Sequence, residues 1–373
     1  MDDRTKTAEL LMNEYAERTG LSGENRQKRY LWTDAFGVCN FLGLAEGTGN
    51  KEYTARSRKL IESVHNTLGK HRQDDRRTGW ISGLSDGEGQ SHPTAGGLRI
   101  GKPMNERSPD EPYDSRTEWD RDGQYFHYLT KWMHALGAAG ISWKDTDLVR
   151  QAAELARAAF RGFTYKSYSG DIRMYWKMSI DLSRPLVPSM GHHDPLDGLA
   201  GFSGIQTHLN RDYLSAEINT LSDICRGRDW TTDDPLGIGG LLFDCFRLLS
   251  ISPSSGTAKS DILMKALNDA VVSLKTYSSY REELSASRRL AFRELGLSIS
   301  LHGARKMTEA AEGVSASAVR LAKQIEKYSY ISDKIEEFWL NKEHRNTRLW
   351  SEHEDINSVM LASSLVPEGF LRV

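Results

Sequence analysis

The chain has 373 residues, with 49 basic and 51 acidic side chains and a formal net charge of -2 at pH 7. The two signs are interspersed, so there is no basic footprint for nucleic acid or for an anionic membrane surface. No apolar run reaches the ~20 residues that a membrane span needs, and the opening MDDRTKTAEL lacks a basic-then-apolar leader, so a cytoplasmic protein is expected.

Taken in chain order, two kinds of helix alternate. Segment 5–19 is amphipathic through Ala8, Leu11, Met12 and Tyr15, whereas 34–46 is apolar on every side. Segment 51–68 is amphipathic through Leu60, Ile61, Val64 and Leu68, and 122–139 is apolar throughout. The pattern continues with amphipathic 145–163, buried 195–209, amphipathic 212–226 and buried 235–251. It ends with amphipathic 258–277, buried 288–307, amphipathic 315–340 and buried 355–366. A helix with one polar face has one side in water, and a helix apolar all round is covered all round. Six repeats of this pair predict an all-α fold, an (α/α)6 toroid of six helical hairpins with an inner and an outer helix ring. The best strand candidate is 171–182.

The connections are one-sided. Those after a buried helix are short, around 47–50, 140–144, 210–211, 252–257 and 308–314. Those before a buried helix are long, at 20–33, 69–121, 164–194, 278–287 and 341–354, with only 227–234 brief. The long loops must therefore share one face, above the N-terminal ends of the inner helices, and long loops in a compact domain usually carry function. Length alone would allow two or three domains at about 150 residues each. No linker or low-complexity stretch divides the chain, so a single domain over 1–373 is expected. Asp194-Pro195-Leu196 and Asp234-Pro235-Leu236 repeat one turn at equivalent helix starts.

Cys39, Cys225 and Cys245 each sit in an apolar stretch without a CxxC pair, which predicts buried reduced thiols. No metal site and no cofactor is expected. His127, His134 and His302 read as satisfied core histidines.

Acids and aromatics gather where the inner helices begin. Trp32 and Asp34 open the first, and Trp119, Asp120, Asp122 and Tyr125 open the second. His192, His193 and Asp194 open the third; Trp230, Asp233 and Asp234 the fourth; His353 and Asp355 the sixth. Arg173, Trp176, Lys177 and Arg184 lie in the third long loop, where pairing with Asp171 or Asp181 is the plainer reading of the cations. Asp before Pro is a preferred N-cap, so Asp194 and Asp234 are read as caps, Asp197 as the N3 member of a capping arrangement, and Asp34 as either cap or cleft residue. Asp120 and Asp122 cannot both cap one helix. One is expected to project between Trp119 and Tyr125, where apolar walls raise a carboxyl toward the range of a general acid, unless Arg116 or Arg121 pairs with it. Asp233 is expected as base or nucleophile. Aromatic planes beside Asp, His and Arg suit a saccharide, so Trp32, Asp34, Trp119, Tyr125, Arg173, Trp176, Lys177, Arg184, His192, Trp230, His353 and Asp355 are the candidate binding residues. His193 and His353, on opposite hairpins of the ring, offer a second acid and base pair.

Six alternating hairpins with acids and aromatics at the inner-helix N-termini resemble the six-hairpin glycosidase superfamily, whose toroid the N-acylglucosamine 2-epimerase-like isomerases share. The glycosidase resemblance implies rim carboxylates, at Asp120, Asp122 and Asp233. Arg184 to His193 is loosely similar to the epimerase stretch that carries a cleft histidine. Those enzymes present a later histidine where this chain has Asp233-Asp234. The resemblance implies a carbohydrate-active enzyme, first a glycoside hydrolase on a short saccharide. The alternatives are a sugar epimerase using His193 and His353, or a non-catalytic sugar-binding toroid. The DxDD acid of terpene cyclases is absent, as is the Cys/His zinc pattern of other α/α toroids.

Overall fold

The computed structural model describes residues 3–209, 212–251, 257–278 and 284–373. The inner helices are Leu31–Thr48, Phe126–Trp143, Asp194–Thr207, Pro235–Ile251, Ala291–His302 and Glu354–Leu365. Each packs on the next, and the sixth packs on the first, so the ring closes as predicted. Their composition explains the position: in the first, every residue from Leu31 to Leu44 is buried. Small residues permit the close approach. A Cβ on Gly239 of the fourth inner helix would stand 2.3 Å from the Gly296 carbonyl of the fifth.

Lys51–Leu68, Thr146–Phe163, Ser215–Cys225 and Thr257–Ser278 form outer helices, each packed on the inner helix before it. The N-terminal helix Asp3–Arg18 packs on the sixth inner helix and completes the outer ring. The fifth hairpin departs from expectation. Its inner helix stops at His302, and Gly303 starts a new helix, Ala304–Glu312, across the connection expected at 308–314. The outer segment 315–340 is divided into Ala316–Glu326 and Tyr330–Leu340, and the latter packs on the fifth inner helix. Of the predicted connections, 210–211, residues 252–256 of 252–257 and residues 279–283 of the long loop 278–287 lie outside the described residues.

The second and third long loops meet at one face. Gln124–Tyr125, leading into the second inner helix, pairs antiparallel with Lys177–Met178, which pairs with Pro185–Val187. Thr164–Lys166 and Ile172–Met174 form a separate hairpin, so 171–182 does carry strands. The lumen is closed lower down by the C-terminal segment. After the turn Pro367–Gly369, the Phe370 ring stacks 4.5 Å from Phe36 and 4.5 Å from Phe243. Its carbonyl lies 2.7 Å from His134 Nε2, the partner that satisfies this core histidine. His302 is satisfied by Glu336 at 2.6 Å. All three cysteines are buried and unpaired.

Candidate active site at the toroid mouth

The structure does not present Asp122 to the mouth. It is fully buried in a clamp, with Arg99 at 2.9 Å and Arg72 at 3.2 Å on one oxygen. The other oxygen accepts from the backbone N–H groups of Gly101 and Gly123, at 2.9 and 3.1 Å. These four donors tie the second loop to the start of the inner helix and leave no lone pair directed at a substrate. Neither Arg116 nor Arg121 is its partner; Arg121 pairs with Glu111. Asp120 is exposed beside the exposed Trp119.

Asp34 is also buried, and is neither a cap nor a cleft residue. It accepts from the Tyr15 hydroxyl, from Tyr30 N at 2.9 Å and from Arg29 at 3.3 Å. Asp234 does cap its helix, accepting from Gly237 N at 3.1 Å while pairing with Arg293 at 2.7 Å. Asp233 beside it is exposed.

Asp194 overturns the capping assignment. His193, with φ -100° and ψ -4°, is already nearly helical, so it takes the cap position and Asp194 becomes the first residue of the helix. From there the carboxyl points at the neighbouring inner helix rather than at its own backbone. Its side chain is 7% exposed, and Oδ1 lies 3.7 Å from His127 Nδ1. Asp194 Oδ2 and His127 Nδ1 are both buried without a hydrogen-bond partner. His127 is thus not the satisfied core histidine that the sequence suggests, and with 26% of its side chain exposed it can be reached from the mouth.

Burial, then the negative charge of Asp197, pushes the Asp194 carboxyl up to about 8. Burial, then Lys131, pushes His127 down to about 4. At neutral pH Asp194 therefore holds its proton, and the imidazole beside it is uncharged.

Asp197, one turn further along, is not a capping residue either. It accepts from Lys131 at 2.8 Å, Thr130 at 2.5 Å and Arg247 at 2.5 Å. Burial acts against its ionisation, but the two cations and these bonds hold it well below the usual carboxylate range. Arg247 also bridges to Asp244, whose carboxyl is raised by burial and by Asp197. The network spans the second, third and fourth inner helices beneath Asp194. It fixes one carboxylate as charged and leaves its neighbour protonated, the division of states that acid–base chemistry requires.

Aromatic rings wall the pair. His127 stands 5.3 Å from Tyr125, 6.1 Å from Trp32 and 6.3 Å from Trp176, almost parallel to the last. Trp176 meets the exposed Trp119 edge-on at 5.5 Å, so rings run from the solvent to the buried acid. Trp32 and Tyr125 are themselves buried, and act as walls rather than platforms.

The remaining candidates scatter. Trp230 is fully buried, with its carbonyl 2.9 Å from His193 Nε2, so it is core. Burial lowers His193 to about 4. His192 is exposed at its side. Lys177 is not a surface cation but is buried on Glu118 at 2.8 Å, and Arg184 bonds the Arg107 carbonyl. Arg173 is exposed on the outer hairpin. At the sixth inner helix His353 stacks on Phe292 at 5.6 Å, and Asp355 pairs with Arg18 at 2.9 Å. Asp194, Asp197, His127 and Lys131 were missed as site residues. The signal available in sequence was their place, in the first two turns of inner helices beneath the long loops. Among the described residues no cluster of three or more His, Cys, Asp or Glu is placed to hold a metal ion. No described helix is long and apolar enough to cross a membrane.

The fold is similar to that of several solved structures. One is an α-1,6-mannanase of family GH76 from Salegentibacter sp. HEL1_6, an inactive variant with two aspartates replaced by asparagine, in complex with α-1,6-mannotriose. It is similar at a TM-score of 0.54 and 11% identity, over 98% of this chain and 99% of that one. The GH76 α-mannanase of Bacteroides thetaiotaomicron is similar at 0.53 and 8%, over 91% and 98%. Cellobiose 2-epimerase from Spirochaeta thermophila DSM 6192 reaches 0.48 and 11%, over 86% and 85%. The protein is a six-hairpin (α/α)6 toroid. By sequence it matches no protein-family model and no curated protein.

Proposed function

We propose that the protein is a carbohydrate-active enzyme, a glycoside hydrolase that cleaves a short saccharide at the toroid mouth with Asp194 as general acid. The observation that carries this reading is a buried, protonated carboxyl with one unpartnered oxygen, set against His127 inside an aromatic wall. A general acid must hold its proton at working pH and release it in the transition state. Asp194 does the first through burial. It does the second when the departing glycosidic oxygen takes the proton. Asp233, exposed where the adjacent inner helix begins, accepts a proton from the water that attacks the anomeric carbon. Asp120 is another accessible rim carboxylate for that task. Asp197, locked on Lys131 and Arg247, keeps Asp194 protonated and does not react. Trp176 and Trp119 present ring faces and edges to the sugar. Three buried, unpaired thiols support a reducing compartment, and hence a cytoplasmic enzyme.

The test is hydrolysis of a panel of short oligosaccharides by the wild-type protein and by Asp194→Asn. The general-acid role predicts a loss of about 10²–10⁴-fold in rate. C2 deuterium exchange into free reducing sugars without any hydrolysis would instead favour epimerisation.

A further inference from the structure

A cavity of about 380 Å³ opens between the outer helices Lys51–Leu68 and Thr146–Phe163, beneath the second long loop. The volume falls within the range of small-molecule pockets, about 300–1,000 Å³. Two indoles line it, Trp80 from the loop and Trp143 from the end of the second inner helix.

Its floor carries polar atoms that the fold leaves unused. Trp80 is 3% exposed, and its Nε1–H is buried without a partner. Gln151 Oε1 is likewise buried without a partner. His65, 6% exposed, is fixed in one tautomer. The Trp132 indole N–H can only donate, and it lies 3.1 Å from His65 Nε2, so the histidine proton sits on Nδ1. Burial pushes His65 down to about 3, which keeps the ring uncharged. The lining residues therefore hold two N–H donors and one amide acceptor, all neutral, with the Trp80 and Gln151 atoms buried and unmatched. Leaving such groups buried and unmatched is destabilising, a cost that a polar ligand removes.

The rim adds exposed amides, Asn66 and Gln90, and one charge of each sign. Glu62 is exposed, and Arg58 lies over the Trp143 ring at 4.0 Å while 3.8 Å from Asp145. The rim charges balance and the floor has none, so the site has no preference for an ion. Apolar indole surface alternates with donors and an acceptor, and hydroxyl groups, which both donate and accept, suit that alternation.

We infer that this cavity is a binding site for a neutral monosaccharide-sized ring, separate from the mouth. Binding there depends only on the cavity's own lining and not on hydrolysis at Asp194.

The experiment is calorimetric titration of the full chain with D-mannose, D-glucose and D-galactose, and with uridine as a planar comparison. Titrations use the wild type, Trp176→Ala to weaken the mouth, and Trp143→Ala or Gln151→Leu to disturb the flank. The expected result is sugar binding that survives Trp176→Ala and weakens at least tenfold in both flank variants, with thermal melting points close to wild type. Loss on Trp176→Ala alone, unchanged binding in both flank variants, or a flank site that takes uridine and no sugar would each overturn the inference.

Discussion

Asp194 Oδ1 stands 3.7 Å from His127 Nδ1, across the seam between the second and third inner helices, and neither residue meets its hydrogen-bonding needs through that contact. A buried carboxyl and a part-buried imidazole stand next to each other and both are kept neutral. This is an expensive arrangement that packing alone does not call for.

That arrangement dictates a pH profile for catalysis. As the proposed general acid, Asp194 must be protonated, so kcat/KM should fall as pH rises past about 8, the value to which burial raises it. The wild-type profile should therefore have a basic limb there, and Asp194→Asn should lose both the limb and most of the rate. A basic limb unchanged in the variant would assign it to another group.

Stability should follow pH with a maximum near neutrality. His65 and His134, each lowered to about 3, and His127 and His193, each lowered to about 4, are neutral in the folded chain. In the unfolded chain they take up protons below about pH 6.5, so stability is present above that point and is lost as pH falls toward 4. Asp194 acts in the opposite sense. Its folded value is raised to about 8, so its contribution is lost as pH rises from about 4 toward 8. Asp194→Asn should consequently raise the melting temperature more at pH 8 than at pH 5. An equal change at both would refute the assignment of a buried protonated carboxyl.

Asp122 should behave as a structural residue. Asp122→Ala leaves Arg99 and Arg72 without their shared partner, and breaking a buried pair costs about 3–5 kcal/mol. Urea denaturation should show that loss. A variant that unfolds like wild type but is catalytically dead would restore Asp122 to the chemistry.

The C-terminal plug should matter in the same way. Phe370 is 5% exposed between Phe36 and Phe243, and Phe→Ala in a core costs about 3–5 kcal/mol. Thermal unfolding of Phe370→Ala measures it, and a change below ~1 kcal/mol would show that the segment is not a structural closure of the lumen.

The ring of helices was legible because burial writes itself into apolar period: 51–68 and 235–251 are helices at those residues. Strand content was also expected at 171–182, where Ile172–Met174 and Lys177–Met178 are strands. The site was not, because its residues are defined by partners far along the chain. Asp122 reads as a rim acid until Arg99 and Arg72, 23 and 50 positions away, are seen on it. Asp194 and Asp234 share one sequence turn, yet only Asp234 caps. The difference is the backbone of His193, which extends the third inner helix by one residue and swings Asp194 toward His127. Lys177 and Asp197 tell the same story, each claimed by a residue on another element.

The proposed saccharide site at the mouth predicts that binding depends on Trp176. A sugar present at about 100 times its dissociation constant should stabilise the protein by about 2.7 kcal/mol. Trp176→Ala should abolish the part of that shift that comes from the mouth, and an undiminished shift would place the sugar elsewhere.

The most direct measurement is the rate of oligosaccharide hydrolysis by wild type and Asp194→Asn at pH 6.5, with melting temperatures taken on the same samples. Asp194 as general acid predicts clear hydrolysis by the wild type and a loss of about 10²–10⁴-fold in a variant that is folded at least as stably. An Asp194→Asn protein that keeps the wild-type rate would contradict it.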